Sequence, residues 1–211
     1  MNAPEINAII FDLGGVILDI DYNRTVRAFQ ALEFEDFDQQ YSKMKQSGVF
    51  DRIERGEIDE AEFVSIMQQS IPHASQEEII DAWNAIILDF PSGRLDYINE
   101  VRKKLPIFLL SNTNEIHLKC FDQLLFESTN SHIKDHFNKA YLSHEMSCRK
   151  PEPEAWKIIL EEQGLKARTT LFIDDSPQHI AAARNLGLPC IHLQSIDELE
   201  RELAPFLTQF N

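Results

Sequence analysis

The sequence has few cysteines, no long apolar run and little positive charge, and each shortage removes a class of protein. Cys120, Cys148 and Cys190 are the only cysteines among 211 residues. An odd, scattered set does not make a disulfide frame, and without a C-x-x-C pair it does not suggest zinc. It points to free thiols in a reducing compartment. No apolar stretch approaches membrane-spanning length, and residues 1–7 lack a basic region followed by an apolar run. The expectation is a cytoplasmic protein with no membrane partner. Lys and Arg number 20 against 35 Asp and Glu, a formal net charge of −15. Such a surface repels nucleic acid and anionic membrane at long range, so a phosphorylated ligand needs a local positive site. Nothing in the sequence specifies an oligomeric state.

What is present suits a packed globular chain. Hydrophobic residues make up 43%, which excludes general disorder. The length fits one good-sized domain, or a core with a smaller insertion. Ala8-Ile9-Ile10-Phe11 is short, apolar and rich in β-branched residues, so it reads as a buried strand that ends at Asp12. From about 20 to 93 the pattern becomes helical, with Phe63, Ile66 and Met67, then Ile79, Trp83 and Ile86, at helical spacing. Ser75 and Glu78 fit a capping box. This stretch holds 15 acidic and 6 basic residues, more than half of the excess negative charge. It reads as an inserted helical domain, with 1–19 and 94–211 forming the core.

After it, strands and helices alternate. A helix over 95–104 leads to the strand Ile107-Phe108-Leu109-Leu110. A short strand lies near Ala140-Tyr141-Leu142, and a helix over 154–163 stops at Gly164. Thr170-Leu171-Phe172-Ile173 is a strand, Ser176 caps a helix with Pro177 at its first position, and 190–193 forms a last strand. Such alternation predicts an α/β fold with a doubly wound, Rossmann-like parallel sheet.

Polar residues recur where these strands stop: Asp12, then Ser111 and Asn112, then Asp174 and Asp175. In an open parallel sheet the carboxyl ends of the strands share one edge, where ligands bind. Adjacent carboxylates at Asp174 and Asp175 repel each other, and burial adds to the cost. A divalent cation relieves both, and magnesium takes a few carboxylates together with waters and phosphate oxygens. The competing reading is one Asp as a helix cap and the other solvated; the strand-end placement favours the metal. Asp12 can complete the metal shell or attack phosphorus, and the Gly14 carbonyl can add a ligand. The hydroxyl of Ser111 and the amide of Asn112 suit phosphate oxygens, although Ser-Asn-Thr-Asn is also good turn chemistry. Lys150, stiffened by Pro151 and Pro153, can neutralise nucleophile and phosphoryl group together.

These residues, in this order, resemble the haloacid dehalogenase-like (HAD) superfamily. Phe11-Asp12-Leu13-Gly14-Gly15-Val16 resembles its first motif, Leu110-Ser111-Asn112-Thr113 its second, Arg149-Lys150-Pro151 its third and Ile173-Asp174-Asp175-Ser176 its fourth. Phe50-Asp51-Arg52-Ile53-Glu54-Arg55-Gly56-Glu57-Ile58 resembles the subgroup that includes bacterial α-D-glucose-1-phosphate phosphatases. The resemblance implies a Rossmann-like core with a helical cap. It implies that Asp12 forms an aspartyl-phosphate and binds magnesium with Asp174 and Asp175, and that Ser111, Asn112 and Lys150 hold phosphate. Most family phosphatases carry a general acid two residues after the nucleophile; here that position is Gly14. His179 stands where the fourth motif often has Asp or Asn, and is expected beside the metal shell or solvated. General acid–base catalysis contributes about 10²–10⁴ in rate. A site without the acid favours easily expelled leaving groups, or takes its proton from elsewhere. The expected substrate is therefore a small phosphorylated metabolite, with a sugar phosphate such as glucose 1-phosphate foremost. A 2-haloacid dehalogenase and a phospho-ligand binding module are the alternatives. Phe34, Phe37, Phe50, Trp83 and Trp156 line a pocket or, more commonly for such residues, fill the core. His73, His117, His144 and His192 show no metal spacing.

Overall fold

The computed structural model describes residues 5–34, 37 and 48–208; residues 1–4, 35–36, 38–47 and 209–211 lie outside the described residues, including parts of the helical stretch. The central element is β1 (Ala8–Phe11), buried at every position. It pairs in parallel with β2 (Ile107–Ser111) on one side and β4 (Thr170–Asp174) on the other. Outside these lie β3 (Lys139–Leu142) and β5 (Cys190–His192), giving the order β3-β2-β1-β4-β5. All four pairings are parallel.

Strand alternation divides the apolar side chains between two faces. Ile9, Phe11, Ile107, Leu109, Leu171 and Ile173 point one way, into a cluster with α5 (Arg94–Arg102), α6 (Glu115–Thr129) and α10 (Leu199–Leu207). Ala8, Ile10, Phe108, Leu110 and Phe172 point the other way, against α8 (Pro153–Glu162) and α9 (Pro177–Asn185). Helices on both faces make the sheet doubly wound, as the alternation predicts.

The described helices before α5 include α1 (Tyr22–Ala31), α2 (Val49–Glu54), α3 (Glu60–Ser70) and α4 (Gln76–Asn84). Their apolar residues form a third cluster, to which the rest of the chain adds Ile116 of α6. Phe34, Phe37, Phe50 and Trp83 lie inside it, with Phe50 stacked on Trp83 at 5.1 Å between centroids. Trp156 is buried against the sheet. All five aromatics fill cores. The outgoing and returning chains run antiparallel through an Ile20–Ile87 bridge, with Asp21 N–H donating to Ile86 O at 2.9 Å. The Ser75–Glu78 capping box is present.

Among the described helices of the core, α6, α10 and a short one after β3 escape the sequence reading. α6 begins at Asn114, whose side chain accepts from His117 N–H, but only Ile116, Phe121 and Leu125 of its 15 residues are buried. So sparse a stripe gives weak periodicity. α10 buries Leu199, Leu203 and Leu207, a four-residue spacing that was legible. Ser176 is indeed the N-cap of α9, but its side chain makes no capping bond; its own N–H donates to Asp174 Oδ1 at 2.7 Å instead. The short helix after β3 is α7 (Ser143–Met146).

Candidate active site

Asp12 follows β1 and its N–H donates to Ile173 O of the neighbouring strand at 2.9 Å. That bond continues the ladder by one residue and aims the carboxylate off the sheet edge. Asp12 Oδ1 accepts from Leu13 N–H at 2.7 Å and from Lys150 Nζ at 2.7 Å. The same ammonium lies 2.7 Å from Asp174 Oδ2. Lys150 and Asp174 are both fully buried. One ammonium therefore joins the ends of two adjacent strands.

Lys150 is held by its backbone. Its N–H donates to Asn112 Oδ1 at 2.9 Å, and Asn112 Nδ2 donates to Lys150 O at 2.8 Å. Asn112 thus commits one donor and one acceptor to seating the lysine, while still lining the cavity. Asp174 is equally committed: Oδ1 accepts from Ser176 N–H, and His179 Nδ1 lies 3.1 Å from both oxygens. His179 is buried beside Asp174, not solvated. Asp12, Asp174 and His179 are the described residues whose ligand atoms lie within 4.8 Å of one another. For His179 this proximity is a hydrogen bond, so its Nδ1 proton, not a lone pair, faces the carboxylate.

The carboxylates differ in charge preference. Burial disfavours the Asp174 anion, but Lys150 and the His179 hydrogen bond outweigh it and hold the carboxyl well below the usual range. Asp12 goes the other way: burial, then the Asp174 charge, raise it well above the usual range despite Lys150. Asp175 is raised by burial and by Asp174. Burial disfavours the Lys150 ammonium too, but Asp12 and Asp174 raise its pKa above the usual value. Three carboxylates thus face one ammonium. This surplus of negative charge, with oxygen donors, fits a hard divalent cation such as magnesium.

Gly15 makes the close packing possible. Its φ is +72°, and a Cβ there would lie 2.5 Å from Asp175 Oδ2. Gly14 lacks any side chain that could carry a proton, and the space a Cβ would take is filled by Ile20 Cδ1 at 2.8 Å. A cavity of about 320 Å³ opens in front of Asp12, bounded by Gly14, Ser111, Asn112 and Asp175. Of the residues read from the sequence, Asp12, Gly14, Ser111, Asn112 and Asp175 meet in its wall, while Lys150 and Asp174 lie beneath it, joined to Asp12 through the lysine.

The sequence reading missed part of the wall: Tyr22, Glu54, His117 and Arg149 also line the cavity. Glu54 and Arg149 fall inside the quoted motifs, where position alone was their signal. His117 Nε2 donates to Trp83 O at 3.0 Å, which leaves Nδ1 to accept from Asn114 Nδ2 at 3.1 Å. His192 Nε2 lies 3.0 Å from Asp175 O and helps to seat that loop.

A family model described as haloacid dehalogenase-like hydrolase matches residues 6–187. The chain belongs to this family. Among its relatives in the HAD family, the D-ribitol-5-phosphate phosphatase of Bacteroides thetaiotaomicron is 31% identical over 203 residues, covering 96% of this chain and 98% of that protein. A solved HAD-family enzyme of the same organism aligns at 32% identity with a TM-score of 0.87, covering 94% of this chain and 98% of its own. The wild-type form of that enzyme, in complex with magnesium and inorganic phosphate, aligns at 34% identity and a TM-score of 0.81, covering 88% and 93%. Among the described residues, no helix is long and apolar enough to cross a membrane.

Proposed function

We propose that this HAD-family phosphoric monoester hydrolase is a magnesium-dependent phosphatase of a small sugar or polyol phosphate, with Asp12 as its nucleophile. The observation that carries the reading is Lys150 Nζ at 2.7 Å from both Asp12 and Asp174, at the edge of a cavity that Ser111 and Asn112 also line. Asp12 attacks phosphorus as the ester P–O bond breaks, the departing alcohol takes its proton from water, and a second water then splits the aspartyl-phosphate into free phosphate and Asp12. Lys150 offsets the charge of the nucleophile and of the phosphoryl oxygens in a site screened from water. Ser111 supplies a hydroxyl to phosphate, and Asn112 contributes both to phosphate and to seating Lys150.

Asp12, Asp175, Asp174 and the Gly14 carbonyl are the groups that would hold magnesium. Asp174 is spent on Lys150, Ser176 and His179, which favours Asp175 as the stronger ligand. Magnesium held there would supply positive charge to offset the surplus carboxylates and to attract phosphate oxygens. Residues 20–93 act as a cap over the core of 1–19 and 94–211. Their separate apolar cluster, and Tyr22 and Glu54 in the cavity wall, support this.

The substrate is small, because about 320 Å³ lies at the lower end of ligand pockets, which run to roughly 300–1,000 Å³. The absent acid at Gly14 argued for glucose 1-phosphate, whose anomeric oxygen leaves readily. The relative named for D-ribitol 5-phosphate expels an ordinary primary alcohol, so a polyol phosphate stands beside it. A dehalogenase would leave the surplus of carboxylates without a purpose, and a binding module would leave Asp12 without one. The test is phosphate release from ribitol 5-phosphate, glucose 1-phosphate and p-nitrophenyl phosphate, with and without magnesium. Magnesium-dependent release, abolished in Asp12→Asn, is expected. Release from none of the three would reject a phosphatase, and metal-free chloride release from a 2-chloroacid would install the dehalogenase.

A further inference from the structure

α2 presents two faces. Val49, Phe50 and Ile53 enter the helical cluster, while Asp51, Glu54 and Arg55 meet the loop that carries Lys150. Arg149 Nη1 lies 2.9 Å from Asp51 Oδ1, and Arg149 Nη2 lies 2.8 Å from Glu54 Oε2. Arg55 Nε lies 2.7 Å from Asp51 Oδ2, and Arg55 also pairs with Glu152. All five side chains are at least half withdrawn from solvent.

These five do not share one position. Glu54 and Arg149 line the cavity in front of Asp12, whereas Asp51, Arg55 and Glu152 line an adjoining one. Much of the remaining wall away from the sheet edge is apolar, from Leu18, Ile20, Ile86 and Ile87. Such a surface cannot read hydroxyl groups. A carboxylate can, because it is acceptor-only and offers several lone pairs to O–H donors. One held by a guanidinium stays ionised and fixed in direction. Tyr22 adds a phenol to the same wall.

We propose that Glu54, oriented by Arg149, contacts the substrate and selects a phosphate ester that carries several hydroxyl groups. This rests on the phosphatase reading above and deepens it. Asp12, Lys150 and the metal ligands recognise the phosphoryl group common to every ester. Glu54 recognises what distinguishes one ester from another. An ionised Glu54 is an acceptor, so it is not the acid missing at Gly14.

The experiment measures kcat/KM for a pentitol 5-phosphate and for p-nitrophenyl phosphate, which has no free hydroxyl, in wild type, Glu54→Gln, Glu54→Ala and Asp51→Asn. Loss of a hydrogen bond to a charged group costs about 10- to 100-fold. The pentitol-to-nitrophenyl ratio should fall by about tenfold or more in both Glu54 variants. In Asp51→Asn, which loosens the same ion-pair group from outside the cavity, the ratio should stay near that of wild type. A ratio unchanged in both Glu54 variants overturns the proposal, as does an equal fall in Asp51→Asn, which would reduce Glu54 to a member of a clasp. Glu54→Gln preserves shape, so an unfolded Glu54→Ala leaves the ratio measurable. Wild type inactive on both esters would instead overturn the phosphatase reading beneath it.

Discussion

Lys150 Nζ lies 2.7 Å from Asp12 Oδ1, and the lysine is entirely enclosed by protein. A buried ammonium is tolerated only with compensating charge, and removing one partner of such a group typically costs about 3–5 kcal/mol. Lys150→Met leaves Asp12 and Asp174 facing each other. It should lower unfolding free energy by about that amount and reduce turnover by about 10²-fold or more. Urea unfolding and steady-state kinetics read the two effects. Stability equal to wild type would show that the pair is not the keystone described here.

Gly15→Ala tests the approach of the first loop to the fourth motif. The new methyl would stand 2.5 Å from Asp175 Oδ2, at a φ of +72° that costs an L-residue about 1 kcal/mol or more. Asp175 must move. Magnesium affinity should fall with turnover, while Gly93→Ala, at another positive φ with open space around it, should change neither. Isothermal titration with magnesium gives the comparison.

Magnesium should stabilise the protein in the absence of substrate, because it relieves repulsion among Asp12, Asp174 and Asp175. At an ion concentration of about 100 times Kd, the gain is about 2.7 kcal/mol. Asp175→Asn should abolish most of this gain, and Asp175→Asn without magnesium should melt no lower than the wild-type apoprotein. Calcium or chelator controls in thermal melts separate specific binding from ionic strength.

His117 gives a pH signature. Burial pushes its imidazole down from 6.5 to about 4, against a modest opposing effect of the Trp83 carbonyl. The folded protein then binds fewer protons than the unfolded chain between those values. Its contribution is full above pH 6.5 and is lost as pH falls toward 4, by up to about 3 kcal/mol. The stability difference between wild type and His117→Asn, measured by urea unfolding, should shrink by about that amount from pH 7 to pH 4. A difference that does not vary with pH would mean that the ring titrates normally.

The sheet and its edge were legible because both depend on local pattern. Buried parallel strands are short apolar runs, and Asp12, Ser111 and Asp174 mark where each run stops. Lys150 was legible through its prolines and the resemblance, but nothing local shows that Asn112 grips its backbone from 38 residues away. α6 was illegible because one side of it meets the helical segment and another the sheet, so its apolar positions do not form one stripe. Glu54 and Arg149 lie 95 positions apart in a chain rich in charge, and sequence gives no means of pairing them.

Among the described residues, the helical cluster takes in one buried apolar residue of the core, Ile116, and its Trp83 also stacks on His117 of α6. Substitutions in that cluster away from Trp83 therefore have little direct contact with the strands that aim Asp12 and Asp174. If the helical segment sets the choice of substrate, as proposed, that choice and the chemistry are able to drift on separate clocks. Two places differ: Trp83, which meets Asn114 and His117, and α2, where a change at Asp51 or Glu54 reaches Arg149, the residue next to Lys150. On the proposed reading, new specificities should arise readily in the helices except at those two places, where a novelty in recognition is also a risk to the reaction.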